Sequence, residues 1–130
     1  RCEAGWEEYS NYCYKFVRRT ATWRAAESRC RQQGAVLTSI MGSQENRFVS
    51  SLFSRGRRAW VGLNRIDKSW QWIGGLPVTY TNWAPGQPTM KKWGQRERCV
   101  HIYLKRRGMW NDDTCGTKYS YICKKPNKCF

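Results

Sequence analysis

The sequence predicts an α+β fold for a single domain covering residues 1–130, with two helices first and several short strands later. Apolar residues recur at helical spacing in the first half of the chain, whereas β-rich or alternating runs dominate the second half. Seven dispersed cysteines add a disulfide framework and hence an oxidising compartment. A chain of 130 residues fits one domain with a real core and leaves no room for a second.

The first helix is predicted to begin after Thr22 as N-cap and to end at Gly34. Its buried face is formed by three residues at helical spacing: Trp23, Ala26 and Cys30. Before it, residues 2–14 are predicted to form a small hairpin closed by its own disulfide. A second helix is predicted with Ser43 as N-cap and Phe48, Val49 and Leu52 on one face, ending at the basic run 55–58.

Short strands alternate with turn signals through the rest of the chain. They are predicted at residues 36–40, 60–63, 70–73, 99–104, 108–110 and 121–123. Between two of them, Gly74 to Arg98 is rich in Gly, Pro, Asn and Thr and is predicted to be a long loop. Loops of this length in a compact domain tend to carry function.

The chain carries a formal charge of +15, from 24 Lys and Arg against nine Asp and Glu. Such a field attracts polyanions: sulfated glycans, acidic proteins, anionic lipid, nucleic acid or mineral anions. Nucleic acid is disfavoured as a partner, because the cysteines indicate a secreted protein. No apolar run approaches the roughly 20 residues that span a bilayer. The chain starts at Arg1 without a signal-like segment, so we expect a mature product or an excised fragment.

The residues give no case for catalysis. His101 is the one histidine and lies in a strand pattern, which favours a structural role. No serine or free cysteine is visibly paired with it, and no glycine-rich phosphate loop exists. Asp112 and Asp113 are adjacent, so their side chains point differently and do not form a catalytic pair. A binding protein is therefore expected rather than an enzyme.

Several motifs occur in the same order as in one known family. They are Cys13-Tyr14, Thr22-Trp23 with Ala26 and Cys30, Leu37-Thr38-Ser39-Ile40, Trp60-Val61-Gly62-Leu63, Trp70-Gln71-Trp72, Asn82-Trp83, Trp110-Asn111-Asp112, and Cys115 with Cys123. Between Gly5 and Cys123 the chain resembles the C-type lectin-like domain family. The resemblance implies two helices packed on small antiparallel sheets, with a long loop that forms the ligand face.

The resemblance also implies a disulfide pairing, which spacing alone does not give, because six cysteines allow 15 pairings. The implied pairs are Cys2–Cys13, Cys30–Cys123 and Cys99–Cys115. Cys129 is left over. It is either a free or capped thiol or, in the interpretation we favour, an interchain disulfide that forms a homodimer.

In sugar-binding members of the family, a calcium ion in the long loop also contacts two sugar hydroxyls. The resemblance implies that its ligands here are Gln87, Thr89, Glu97, Asn111 and Asp112. The residues Gln87-Pro88-Thr89 are similar to the galactose-type motif at Gln87 but carry a hydroxyl at Thr89, and the proline is expected to be cis. Sugar contacts would come from Gln87, Trp93, Glu97 and Asn111. The competing interpretation keeps Trp110-Asn111-Asp112 as fold framework only.

Cations crowd this predicted site. The candidate polyanion-binding residues are Lys91, Lys92, Arg96, Arg98, Lys105, Arg106 and Arg107. Each lysine about 8 Å from the ion opposes it by on the order of 1 kcal/mol even in bulk water. We therefore expect a secreted lectin-like protein that favours acidic or sulfated glycans, with calcium weak or dispensable. A calcium-dependent galactose-type lectin is one alternative, and a basic matrix protein that binds mineral or acidic surfaces is another.

Overall fold

The computed structural model describes residues 1–52, 57–66, 69–88, 97–103 and 107–128, with the side chains of Ile66 and Glu97 outside the description. Two helices and eight strands are found in these ranges. In chain order they are β1 (Glu7–Tyr9), β2 (Tyr12–Ala21), α1 (Trp23–Gln32), β3 (Val36–Leu37), α2 (Ser43–Ser50), β4 (Arg58–Ile66), β5 (Ser69–Trp72), β6 (Glu97–Tyr103), β7 (Met109–Thr114) and β8 (Tyr119–Pro126).

Helix α1 follows its local sequence signals closely. The Thr22 side chain accepts a hydrogen bond from the backbone N–H of Ala25 at 3.2 Å and so caps the first turn. Gly34 ends the turn with φ +73°, a left-handed conformation that favours glycine. Trp23, Ala26 and Cys30 are all buried. The predicted boundaries and buried face of this helix are confirmed.

Three other elements differ from their predictions. The Ser43 cap is wrong: Gly42 is the N-cap of α2, without a side-chain hydrogen bond, and Ser43 is the first helical residue. The strand predicted at 36–40 stops at Leu37, although the next residue, Thr38, still donates its N–H to the Ile122 carbonyl of β8 at 2.9 Å. Strand β2 runs on to Ala21, well beyond the predicted hairpin.

The strands join into one mixed sheet rather than separate small ones. Its order is β1-β2-β8-β4-β6-β7, with β3 also pairing β8 and β5 also pairing β4. Neighbouring strands are antiparallel except β4 and β8, which are parallel and align Ala59 with Ser120 and Trp60 with Tyr121. This single parallel pairing places the last strand in the middle of the sheet, between β2 and β4.

Each face of the sheet packs against one helix. Side chains alternate along β4, so Trp60 joins the cluster around α1, whereas Ala59, Val61 and Leu63 join the cluster that contains Val49 of α2. The indole Nε1 of Trp60 donates to the Ala21 carbonyl at 2.9 Å, so a fully buried tryptophan keeps a polar partner. Both clusters are rich in aromatic rings.

Three disulfides tie these layers together, and each implied pairing is confirmed. Cys2–Cys13 closes the N-terminal hairpin. Cys30–Cys123 links α1 to β8 across 93 residues of sequence, a loop closure worth about 4 kcal/mol in the chain-entropy model. Cys99–Cys115 joins β6 to the turn after β7. The last of these lies at the base of the long loop and fixes the strands that carry the predicted ligand residues.

Candidate functional site

The long loop is fastened to the outer strand β7 by backbone hydrogen bonds. The Trp110 N–H donates to the Asn82 carbonyl at 2.7 Å, and the Ala84 N–H donates to the Trp110 carbonyl at 2.9 Å. The Asn82 side chain also donates to the Gly108 carbonyl at 2.9 Å. Trp110 is fully buried, so both its side chain and its backbone have a structural role. The start of the loop is therefore held against the edge of the sheet.

The predicted ligand motif follows this anchor. The Gln87 N–H donates to the Ala84 carbonyl at 2.9 Å, which forms a tight turn, and the Gln87–Pro88 bond is cis. Several predicted site residues lie outside the described residues. They are Thr89, Lys91, Lys92, Trp93, Arg96, Lys105, Arg106 and Cys129, together with the side chain of Glu97.

The strands that carry the remaining site residues are paired in a fixed register. Strand β6 aligns Val100 with Asp112 and His101 with Asn111. Asn111 is half-buried, and Asp112 is buried with its side chain fully out of solvent. The backbone of Glu97 lies at the start of β6, so Glu97 belongs to the strand and not to the predicted loop.

Arg98 and Asp112 form a buried ion pair. The Arg98 Nε lies 2.9 Å from Asp112 Oδ2, and a second guanidinium nitrogen donates to the Asp112 backbone carbonyl at 3.1 Å. The side chains are 9% and 0% exposed. The sequence had placed Arg98 among the surface contacts for a polyanion. That interpretation is wrong, because the guanidinium is buried against a carboxylate on the neighbouring strand.

The Arg98–Asp112 ion pair bears on whether calcium could bind at the site that the resemblance implies. Calcium needs about six to eight oxygen ligands, and carboxylates set its affinity. Here the Asp112 carboxylate already neutralises a guanidinium, which stays charged at every physiological pH. Among the side chains that the structure describes, no three His, Cys, Asp or Glu residues are grouped to hold a metal. The described part of the implied ligand set, in which Asp112 is committed to Arg98, does not fit calcium.

A second buried charge pair joins α2 to β8. Lys124 Nζ is 2.6 Å from Glu45 Oε2, and the same carboxylate oxygen accepts a hydrogen bond from the Tyr14 hydroxyl at 2.5 Å. Burial, followed by this hydrogen bond, raises the pKa of Tyr14. In the sequence Lys124 stands beside Lys125, and Lys128 follows three residues later. Nothing in the sequence separates this lysine from its exposed neighbours, since the pairing depends on α2 packing beside β8.

Lys124 and Glu45 are among the residues that line a groove of about 690 Å³. The groove rim carries Tyr12 and Leu76, the large hydrophobic side chains that are exposed among the described residues, at 40% and 45%. Lys124 Nζ also lies 4.4 Å from the centre of the Tyr12 ring. All three protons of this ammonium have partners, because it also donates to the Ser39 carbonyl and hydroxyl. The pair is therefore a structural support for the groove.

His101 is fully buried among aromatic rings. Its ring centroid lies 4.6 Å from that of Tyr119, 5.2 Å from that of Tyr103 and 6.0 Å from that of Trp60. Neither ring nitrogen makes a hydrogen bond within the described part of the chain. Burial, helped by the nearby charge of Arg58, lowers the pKa of His101 to about 4. The imidazole is therefore neutral at physiological pH, as suits a structural role.

Known proteins resemble this chain in sequence and in fold. Residues 19–125 match the family model described as the lectin C-type domain. The chain belongs to the C-type lectin domain family. It is 38% identical over 123 residues to the human versican core protein, which covers 93% of this chain but 4% of versican. The chain thus spans a small part of these curated relatives, each of which is a far longer protein.

Solved structures agree on the fold. Human lithostathine superposes with a TM-score of 0.88 at 30% identity, over 98% of this chain and 92% of that one. A calcium-independent type II antifreeze protein superposes with a TM-score of 0.86 at 26% identity, over 97% and 95% of the two chains. C-type lectin domains are typically carbohydrate-binding and non-enzymatic. No helix in the described ranges is long and apolar enough to cross a membrane.

Proposed function

We propose that this domain is a secreted lectin that recognises acidic or sulfated glycans, with calcium weak or dispensable. The observation that carries the proposal is the Arg98–Asp112 ion pair. It supplies a permanent positive charge beside the carboxylate on which a calcium site of this family would depend. The guanidinium then holds β6 and β7 together at the base of the long loop, where the family's calcium would otherwise sit.

The expected repulsion between calcium and the Arg98 guanidinium supports this proposal. A calcium ion placed within about 5 Å of this guanidinium would be repelled by on the order of 7 kcal/mol at an effective dielectric constant near 20. Such repulsion would offset much of the attraction that two carboxylates supply. The formal charge of +15 favours an anionic ligand. Arginine adds a planar fork that suits sulfate and carboxylate.

A glycan array that includes sulfated chains tests the proposal, run with calcium and with chelator, at low and at high salt. We expect binding to sulfated glycans that survives the chelator and falls steeply with salt, as ion-pair binding does. Thermal unfolding with calcium and with chelator should give the same midpoint. Binding that needs calcium and is displaced by galactose would overturn the proposal in favour of the galactose-type lectin.

A further inference from the structure

Five strands begin or end at the same end of the sheet. The register aligns Ala21 of β2 with Tyr119 of β8, and Arg58 of β4 with Tyr103 of β6, which in turn faces Met109 of β7. The parallel pairing of β4 with β8 brings their starts to this same end. Neighbouring strands lie about 4.8 Å apart, so the five strand ends span roughly 19 Å.

Cations gather along this row, although they are scattered in the sequence. We call this surface the basic end; its cations are Arg18, Arg19, Arg57, Arg58, Arg107 and Lys118. All are exposed except the half-buried Arg57. They come from β2, from the starts of β4 and β8, and from the turn before β7. The fold therefore brings together four separate stretches of the chain.

Carboxylates are concentrated elsewhere. Glu3, Glu7 and Glu8 lie at the N-terminal hairpin, next to the start of β2 and the end of β8, which is the opposite end of the sheet. There Lys125 pairs with Glu3. At the basic end, the Asp113 carboxylate accepts a hydrogen bond from the Tyr119 hydroxyl at 2.5 Å. Positive charge at this end is thus largely uncompensated.

One guanidinium is held in place between aromatic rings. Arg58 lies 4.5 Å from the centre of the Tyr103 ring and 5.8 Å from that of the Tyr119 ring, and it donates to the Tyr119 hydroxyl at 3.2 Å. A guanidinium stacked in this way keeps its remaining N–H donors in a fixed plane. It loses less side-chain freedom when an anion binds, and the rings beside it offer apolar surface.

We propose that the basic end binds a linear sulfated polysaccharide, on a surface separate from the Arg98–Asp112 pair. The two are about 17 Å apart along β6, which is five residues at the rise of a strand. Five of the six cations are arginines, whose forks pair bidentately with sulfate and carboxylate. The proposal rests on the proposed function, since it names a ligand class and a surface for the same acidic-glycan recognition.

Two variants of equal charge test the surface. Arg18→Gln/Arg107→Gln/Lys118→Gln removes three exposed cations from the basic end. The matched control, Lys15→Gln/Arg31→Gln/Lys128→Gln, removes three cations from elsewhere on the molecule. Heparin is the probe, with chelator present and at about 0.1 M salt. We expect the basic-end variant to bind on the order of tenfold or more weakly and the control to stay within about threefold of wild type.

The remaining outcomes would overturn the basic end, the ligand class or the proposed function. Equal losses in both variants would show that net charge alone attracts heparin, and no loss in either would place the heparin site elsewhere; both results overturn the basic end but leave the proposed function standing. If the wild type itself fails to bind heparin, the proposed ligand of the basic end is wrong, and the proposed function is wrong as well if the glycan array shows no binding to any acidic or sulfated glycan. Tighter binding to a single-stranded DNA oligonucleotide than to heparin would overturn the ligand class.

A charge-conserving variant guards against an effect on folding. Arg18→Lys/Arg107→Lys/Lys118→Arg keeps the charge of the basic end and should retain heparin binding to within a few fold. The thermal unfolding midpoints of all three variants should match that of the wild type, because the substituted side chains are at least partly exposed. A charge-conserving variant that loses binding as fully as the neutral one would overturn the electrostatic argument.

Discussion

At the scale of single residues, some charged side chains are buried in the molecule, which the amino-acid composition does not reveal. Arg98 and Asp112 are each more than nine-tenths buried and neutralise one another. Burying such a pair gains little over an apolar pair of the same size, because both ions lose their hydration. Removing one partner is costly, since the other buried charge then loses this counter-charge. The pair is therefore a sensitive point for both folding and the ligand site.

Replacing Asp112 by alanine should lower the free energy of unfolding by about 3–5 kcal/mol, because the buried Arg98 guanidinium would lose the counter-charge that Asp112 supplies. Denaturant unfolding in the presence of chelator measures this loss. The double variant Arg98→Met/Asp112→Leu is the control and should recover most of the stability. A cost below about 1 kcal/mol for Asp112→Ala would show that solvent or another group reaches Arg98.

His101 gives the molecule a defined acid sensitivity. Its pKa falls from 6.5 to about 4 on folding, so below pH 6.5 the unfolded chain binds a proton that the folded protein excludes. Stability should fall as pH drops from about 6.5 to about 4, by about 3 kcal/mol in total. Unfolding measured across that range should show a flatter pH dependence for His101→Phe than for wild type. Identical slopes would place the acid sensitivity on other groups.

At the scale of elements, α2 and β7 meet through a close contact that requires glycine. The Asn46 side chain accepts from the Trp110 indole at 2.7 Å and donates to the Gly108 carbonyl at 3.1 Å. Gly108 has φ +69°, and a Cβ there would lie 2.8 Å from Asn46 Nδ2 and 3.0 Å from Ser50. The contact seats the helix against the strand that carries Asn111 and Asp112.

Gly108→Ala should therefore cost about 1–3 kcal/mol of stability, from the left-handed backbone and the clash together. It should also disturb the anchored start of the long loop, because the Gly108 carbonyl accepts from Asn82 as well. Thermal unfolding measures the cost. Gly116→Ala is the control, as a Cβ at Gly116 meets open space. Equal effects of the two substitutions would contradict the close contact.

The elements that sequence analysis located well are those encoded locally. Helix α1 was predicted to within two residues because its cap, its terminating glycine and its apolar spacing all lie within the helix itself. The extension of β2 was missed, since its outer residues are charged and exposed and the strand exists through pairing with β8, about a hundred residues away. The Gly42 cap was missed for a related reason, because its extended backbone leaves no side-chain signal.

In the candidate ligand site, too, the features encoded by local motifs were predicted and those that depend on strand pairing were not. The resemblance located Gln87, Asn111 and Asp112 in the sequence, and Gln87–Pro88 is cis as expected. The Arg98–Asp112 pair was not foreseen, because it depends on how β6 and β7 are aligned and on which face of the sheet Arg98 occupies. The basic end was not foreseen either, since its cations come together through the order of the strands.

At the scale of the whole molecule, the positive charge is unevenly distributed as well as large. Acidic residues partner cations around the N-terminal hairpin, as with Glu3 and Lys125 or the buried Glu45 and Lys124. The opposite end of the sheet presents cations with little compensation. Such an asymmetric field orients an approaching polyanion before contact and speeds its association at low salt. A protein with two copies of this surface would gain further, because a long anionic chain can engage both.

Cys129 is the residue through which we expect those two copies to be joined. Six of the seven cysteines are paired within the chain, and Cys129 is the seventh and lies outside the described residues. Cys129→Ser should run as a monomer on non-reducing gels on which the wild type runs as a dimer. Its retention on a dense sulfated surface should fall by about 10²-fold, whereas its affinity for a short sulfated oligosaccharide should not change, because avidity depends on both sites engaging one surface. A wild type that is monomeric with and without reductant, with Cys129 open to alkylation, would rule out the covalent dimer.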